Sequence, residues 1–205
     1  MEGATEKVFY RAFLKWLADN NENCTFEKSF TADVGEILFI WTKDSDKVLI
    51  KFNVVGAVTQ LVHSGKWFAN TCAKKYRVPW KVFLCYDTDS PDKDISKFYQ
   101  DDWKLLREEL KRSKAEEIID LAASADIEDV MLYDLQGICK FLGIDVPNQL
   151  RGRKGKAKMK DLYRACGNTY HEGDKASDMV EMLDFEKIIS SGPIRLDILR
   201  DELVQ

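Results

Sequence analysis

Apolar residues recur at helical spacing near the start of the chain. In TEKVFYRAFLKWLAD (5–19), Val8, Phe9, Phe13, Trp16 and Leu17 share one face with charges between them. The period then changes. EILFIW (36–41) and KVLIKFN (47–53) flank the turn-like TKDSD, which predicts a β-hairpin. VTQLVHSGKWFANTCAKKY (58–76) returns to helical spacing, with Gly65 as a weak point and Pro79 as its limit. WKVFLCYD (80–87) is the next strand. DISKFYQDDWKLLREELKRSK (94–114) predicts a long amphipathic helix capped by Asp94, with basic residues toward its end. EEIIDLAA (116–123) reads as a short strand, and IEDVMLYDLQGICKFLGI (127–144) as a helix ended by Gly143 and Pro147.

Helices alternating with short apolar strands predict an α/β fold: an open, largely parallel sheet flanked by helices, with the hairpin embedded in it. Beyond Pro147 the character changes. RGRKGKAKMK (151–160) carries six basic residues, 172–186 is mostly acidic, and Pro193 is placed to start a last helix. The expected organisation is an α/β domain over 1–146, then a basic loop and helical C-terminal extension over 147–205. Segment 148–156, where Gly152 and Gly155 alternate with charges, is expected to be a mobile loop.

Composition narrows the class. The 205 residues carry a net charge of −4, so any nucleic-acid surface has to be local. The five cysteines show no CxxC or Cys/His pairing of the zinc kind, and Cys85 and Cys139 lie in apolar runs, as in a reducing compartment. With no signal-peptide pattern and no run long enough to span a bilayer, the expectation is a soluble cytoplasmic protein with no membrane partner. His63 falls in an apolar helical pattern and reads as a surface or packing residue.

Chemistry concentrates in VFLCYDTDSPD (82–92). Asp87 and Asp89 share one face of a strand end, where like charges repel and each prefers water to a sheet edge. A bound cation relieves this; so does plain solvent, if the strand simply ends before Pro91. At the other end, EGATEKVFY sets Glu2 directly before Gly3 and a helix, a position at the ligand-binding edge of open α/β sheets.

EG, then NVVGAVTQL (53–61), then YDTD, in that order, resembles the Toprim domain of topoisomerases, primases and OLD-family nucleases. The resemblance implies that Glu2, Asp87 and Asp89 hold Mg2+ (or Mn2+). SADIEDVMLYD (124–134) is similar to the later acidic motif of OLD-type and RloB-like Toprim proteins, which implies a second metal held by Glu128 or Asp129. One departure stands out: the family's glutamate closes an apolar first strand, and only Met1 precedes Glu2. Either that strand is lacking or Glu2 lies in a frayed terminus.

The function implied is a magnesium-dependent nuclease acting on DNA or RNA, with Glu2, Asp87, Asp89 and Glu128 catalytic. Arg151, Arg153, Lys154, Lys156, Lys158 and Lys160 would contact the phosphate backbone. YHEG (170–173) loosely resembles the C-terminal part of these nucleases, with His171 a candidate for proton transfer. Such nucleases commonly work with an ATPase. The chain has no GxxxxGK[ST], so that subunit would be a separate partner. Similarity to small Toprim proteins of anti-phage systems, including the PARIS type, implies a defence effector. The alternative is a Toprim-like module without catalysis that binds nucleic acid or a partner protein.

Overall fold

The computed structural model describes residues 1–31, 36–88 and 100–204. The first helix, α1 (Ala4–Asp19), is followed by β1 (Cys24–Thr31), β2 (Glu36–Lys43) and β3 (Asp46–Ile50). A helical stretch over 58–73 contains α2 (Ser64–Phe68), and β4 (Trp80–Asp87), α3 (Gln100–Arg112) and β5 (Ala115–Ala123) come next. The rest is helical: α4 (Ile127–Met131), α5 (Leu135–Leu142), α6 (Gly155–Ala165), α7 (Ser177–Val180), α8 (Phe185–Ser191) and α9 (Leu196–Val204).

Strand periodicity sets the layers. In β4, Trp80, Val82, Leu84 and Tyr86 pack into one apolar cluster, while Phe83 and Cys85 pack into another. The parallel strand β5 splits the same way, Ile118 and Ala122 against Ile119, Leu121 and Ala123. On one side lie α1 and the C-terminal helices; on the other lie the 58–73 stretch and α3. Both faces of β4 are therefore covered, which is why VFLCY (82–86) reads as a continuous apolar run.

The fold is mixed α/β, as the alternation of elements implies. Among the described residues the assigned strands form one parallel pair, β4–β5, and one antiparallel sheet in the order β1-β2-β3. The predicted hairpin is β2–β3. It gains a third strand because β1, whose CTFEKSFT pattern is weak, pairs with β2 along its length. The terminus adds a parallel contact of its own. Met1 donates its ammonium to Asn53 O at 2.9 Å and accepts from Val55 N–H at 3.2 Å, while Gly56 N–H donates to Glu2 O at 2.7 Å. The two Met1 bonds, to Asn53 O and from Val55 N–H, have the pattern of a parallel pair.

Other expectations shift in detail. The helix over 58–76 is broken into a 3₁₀ segment, α2 and a π segment. Asp94 and the predicted start of the long helix lie outside the described residues, and α3 is described from Gln100. Gly143 ends α5 in the left-handed conformation (φ 68°). Segment 148–156 is not wholly a loop, because α6 starts at Gly155. The C-terminal helices share a core with α1: the Phe185 ring lies 5.4 Å from Phe9 and 5.7 Å from Phe13. All five cysteines are free thiols. Among the described residues no helix is long and apolar enough to cross a membrane.

Candidate metal centre

Three carboxylates converge where the parallel segments end. Glu2 lies on the segment bonded to 53–56, Asp87 ends β4, and Glu6 sits in the first turn of α1. One carboxylate oxygen from each lies within 4.8 Å of the other two. Glu2 and Asp87 were expected together from the sequence; Glu6 was not. The signal for it is the capping-box spacing: a glutamate three residues after the helix cap reaches back toward the residues before the helix.

Glu6 does so here, accepting from Gly3 N–H at 2.6 Å through Oε2. Gly3 is extended (φ −125°), so glycine is not needed for a left-handed turn. It leaves room for Glu6: a Cβ there would lie 2.6 Å from Glu6 Oε2 and would make that carboxylate shift. The other Glu6 oxygen, Oε1, is buried with no hydrogen-bond partner, and so is Asp87 Oδ1. Glu6 is only 4% exposed. An unpartnered buried acceptor costs about 1–3 kcal/mol, so two side by side need an explanation.

The electrostatics agree with the geometry. Burial raises the Glu6 pKa, Glu2 adds to it, and the Gly3 amide and the amino terminus temper it. Asp87 is pushed up to about 9, first by burial and then by the charges of Glu6, Glu2, Asp126 and Glu128. Four carboxylates thus act on Asp87 at this end of the strands.

The second acidic group is held differently. Asp126 caps α4, with Oδ1 accepting from Asp129 N–H at 2.8 Å and Oδ2 from Lys156 N–H at 3.4 Å. Both oxygens of Asp129 are taken as well, Oδ2 by Gly155 N–H at 2.8 Å and Oδ1 by Lys158 Nζ at 2.5 Å. Asp129 therefore faces α6 and is not in the Glu2–Glu6–Asp87 group. Glu128 is buried and accepts from the Tyr170 hydroxyl at 3.0 Å. Its pKa is pushed up to about 7 by burial and then by Asp126, with Tyr170 pulling the other way.

Thr88 fixes one acidic group against the other. Its Oγ1 donates to Ala123 O at 2.9 Å and accepts from Ala125 N–H at 3.0 Å, fastening the end of β4 to the turn before α4. Ala125 is left-handed there (φ 68°), a strained state for alanine next to the Asp126 cap. Asp89, the other half of the DxD pair, lies outside the described residues.

The basic run is half turn and half helix. Arg151, Arg153, Lys154 and Lys160 are exposed. Lys156 pairs with Glu172 at 2.6 Å and Lys158 with Asp129, so these two are engaged within the protein. Gly155 has no space for a side chain, because a Cβ would collide with the Asp129 amide nitrogen. His171 is exposed, while its neighbour Tyr170 is the residue that reaches the acidic zone.

No protein-family model, no curated protein and no solved structure matches this chain.

Proposed function

We propose that this chain is a divalent-cation-dependent phosphodiesterase, a nuclease of the Toprim-like kind, with Mg2+ or Mn2+ held by Glu2, Glu6 and Asp87. The observation that carries the reading is the pair of buried, unpartnered oxygens on Glu6 and Asp87 beside Glu2, all within 4.8 Å. Three hard oxygen donors fit these ions, whose coordination also leaves room for water and a phosphate oxygen. When bound, such an ion neutralises charge on the attacked phosphate and makes a water nucleophilic near neutral pH.

The chain supplies the rest. Glu128, with a pKa of about 7, is half ionised at neutral pH, where a proton acceptor is most useful. The Asp126 and Asp129 carboxylates bind the first turn of α6, which anchors the basic stretch to the same strand ends. Arg151, Arg153 and Lys160 then offer exposed charge to a phosphate backbone.

Calorimetric titration with Mn2+ tests the site directly. Wild type is expected to bind with proton release at pH 7, because the ion must displace a proton from Asp87. Glu6→Gln and Asp87→Asn are each expected to weaken binding at least tenfold, and Glu2→Gln and Asp87→Asn to abolish cleavage of single- and double-stranded DNA and RNA. Equal Mn2+ binding by wild type and Asp87→Asn would remove this site from consideration.

A further inference from the structure

A cavity of about 140 Å3 lies between α1 and the antiparallel sheet. Arg11 and Lys15, one turn apart on α1 and so on one face of it, form one wall. Phe26 and Lys28 of β1 and Phe39 of β2 form the other. Lys28 stands opposite Phe39 in the β1–β2 register, and Phe26 is two residues from Lys28, so all three project from the same face of the sheet. Lys15 and Lys28 are exposed, so the cavity meets solvent on their side.

Charge in this small space is unbalanced. Three cations line it against one carboxylate, and that carboxylate, Glu181, is already bonded to Lys15 at 2.6 Å. Arg11 and Lys28 are left over, two positive charges in a chain whose net charge is −4. Among the described residues neither makes a hydrogen bond or an ion pair, and Arg11 Nε is buried without a partner. The Arg11 guanidinium lies over the Phe39 ring, 5.2 Å from its centroid, a contact that occupies none of its N–H donors. A buried guanidinium nitrogen is ordinarily matched by an oxygen acceptor, and here the protein supplies none.

We propose that this cavity binds a phosphate group, as the free ion or as a phosphomonoester, with Arg11 and Lys28 as its donors. A planar fork and an ammonium facing one space suit an anion with several acceptor oxygens, and the charge of a phosphate near −2 matches the two unpaired cations. A cavity of about 150 Å3 holds benzene, so this one takes the phosphate with a few attached atoms and leaves the rest of a larger ester outside. The pocket is separate from the metal centre. Although α1 carries both Glu6 and Arg11, none of Glu2, Glu6 and Asp87 lines it.

The test is a calorimetric titration of the full chain with inorganic phosphate, adenosine monophosphate and adenosine, with amide shifts followed by NMR. Divalent ions are left out, so the carboxylate cluster and its Mn2+ titration are read separately. Expected is saturable binding of phosphate or the monophosphate with a Kd at or below about 1 mM, and shifts at Arg11, Lys15, Lys28 and Phe39. Arg11→Gln is expected to weaken it about 10–100-fold and Lys28→Gln about tenfold. Lys28 is exposed, so the second variant keeps the fold. Equal affinity for the two phosphates supports the free ion as ligand, and tighter monophosphate supports the ester. Adenosine bound as tightly as its monophosphate would overturn the proposal, since the phosphate would then contribute nothing. Binding that survives both substitutions but is lost in the Arg151→Gln, Arg153→Gln, Lys160→Gln protein would also overturn it, by placing the anion on the basic run. If neither phosphate binds at about 10 mM, the proposal fails, and Lys28 is an inward charge that guards the edge strand β1.

Discussion

The Tyr170 hydroxyl donates to Glu128 Oε1 across 3.0 Å inside the protein, joining residues 42 apart in sequence. The carboxyl is buried, its pKa lies near 7 and the phenol is the donor that favours its ionised form. Tyr170 is itself pushed upward by burial and by Glu128, so it stays protonated and remains a donor at any physiological pH. Replacing it with Phe leaves Glu128 without this partner. Tyr170→Phe is therefore expected to raise the Glu128 pKa above 7 and to cost about 1–3 kcal/mol where Glu128 is ionised. Because the folded pKa already exceeds the ordinary value of 4.5, stability from the neutral form is complete at low pH and is lost as pH rises through 7. Urea melts at pH 5.5 and 8.5, with the Glu128 carboxyl followed by NMR, check it. An unmoved pKa would show that the phenol does not control this group.

Asp87 gives a steeper dependence. Its folded-state pKa is about 9, against an ordinary 3.8. Below the ordinary value the group is neutral in both states; as pH rises toward 9 only the unfolded chain ionises, and stability falls by about 1.4 kcal/mol per pH unit from this group. Asp87→Asn removes that term. Without divalent ions the variant is expected to overtake wild type in stability between pH 5 and pH 8. With saturating Mn2+ the order is expected to reverse, because the ion stabilises only the ionised cluster. Parallel melting curves for the two proteins over this range would show that Asp87 is not held protonated by its surroundings.

The basic run divides into two functions. Arg151→Gln, Arg153→Gln and Lys160→Gln together are expected to weaken polyanion binding and reduce its salt slope by about one unit per lost phosphate contact, leaving Tm unchanged. Lys158→Gln acts on the fold, because it breaks the partly buried pair with Asp129 and leaves that carboxylate with one fewer donor. A loss of about 1–2 kcal/mol is expected there. Filter binding at several salt concentrations, beside thermal melts, separates the two. A Tm loss in the triple variant, or none in Lys158→Gln, would show this division to be wrong.

How much of this was legible in the sequence varies with the physics behind each residue. Glu2 and Asp87 stood out because a glycine follows one and an apolar run precedes the other. Glu6 did not, since within TEKVFYRAF it looks like one more charge on the outer face of a helix, and it is the bond from the Gly3 amide that holds it inward. Asp129 shows the opposite problem. An acid in the first turn of a helix has the same sequence pattern whether it faces a metal, the helix dipole or the amides of a second helix. Here it faces the amides of α6. Gly155 read as loop flexibility, yet it is small because the Asp129 backbone lies against it. Strand β1 was missed because only Phe26 and Phe30 mark it, and its pairing with β2 supplies the rest.

Thr88, which stands between Asp87 and Asp89 in sequence, is the fastener of the site. Its single hydroxyl serves Ala123 O and Ala125 N–H together, and Ala125, left-handed, is followed at once by the Asp126 cap. Thr88→Val keeps the shape and removes both bonds, so a loss of about 1–3 kcal/mol is expected. The larger consequence is positional. Thr88 directly follows Asp87, so without its bond to Ala123 O the end of β4 is free to shift and carries Asp87 away from Glu2 and Glu6, which weakens Mn2+ binding. Thr88→Ser retains the hydroxyl and is expected to retain the affinity. Ala125→Gly, which accepts positive φ without the penalty of about 1–2 kcal/mol, is expected to hold or raise Tm with Mn2+ binding intact. The deciding measurement is Mn2+ affinity set beside Tm for all three variants. If Thr88→Val lowers Tm while affinity stays at the wild-type value, the fastener serves the fold alone.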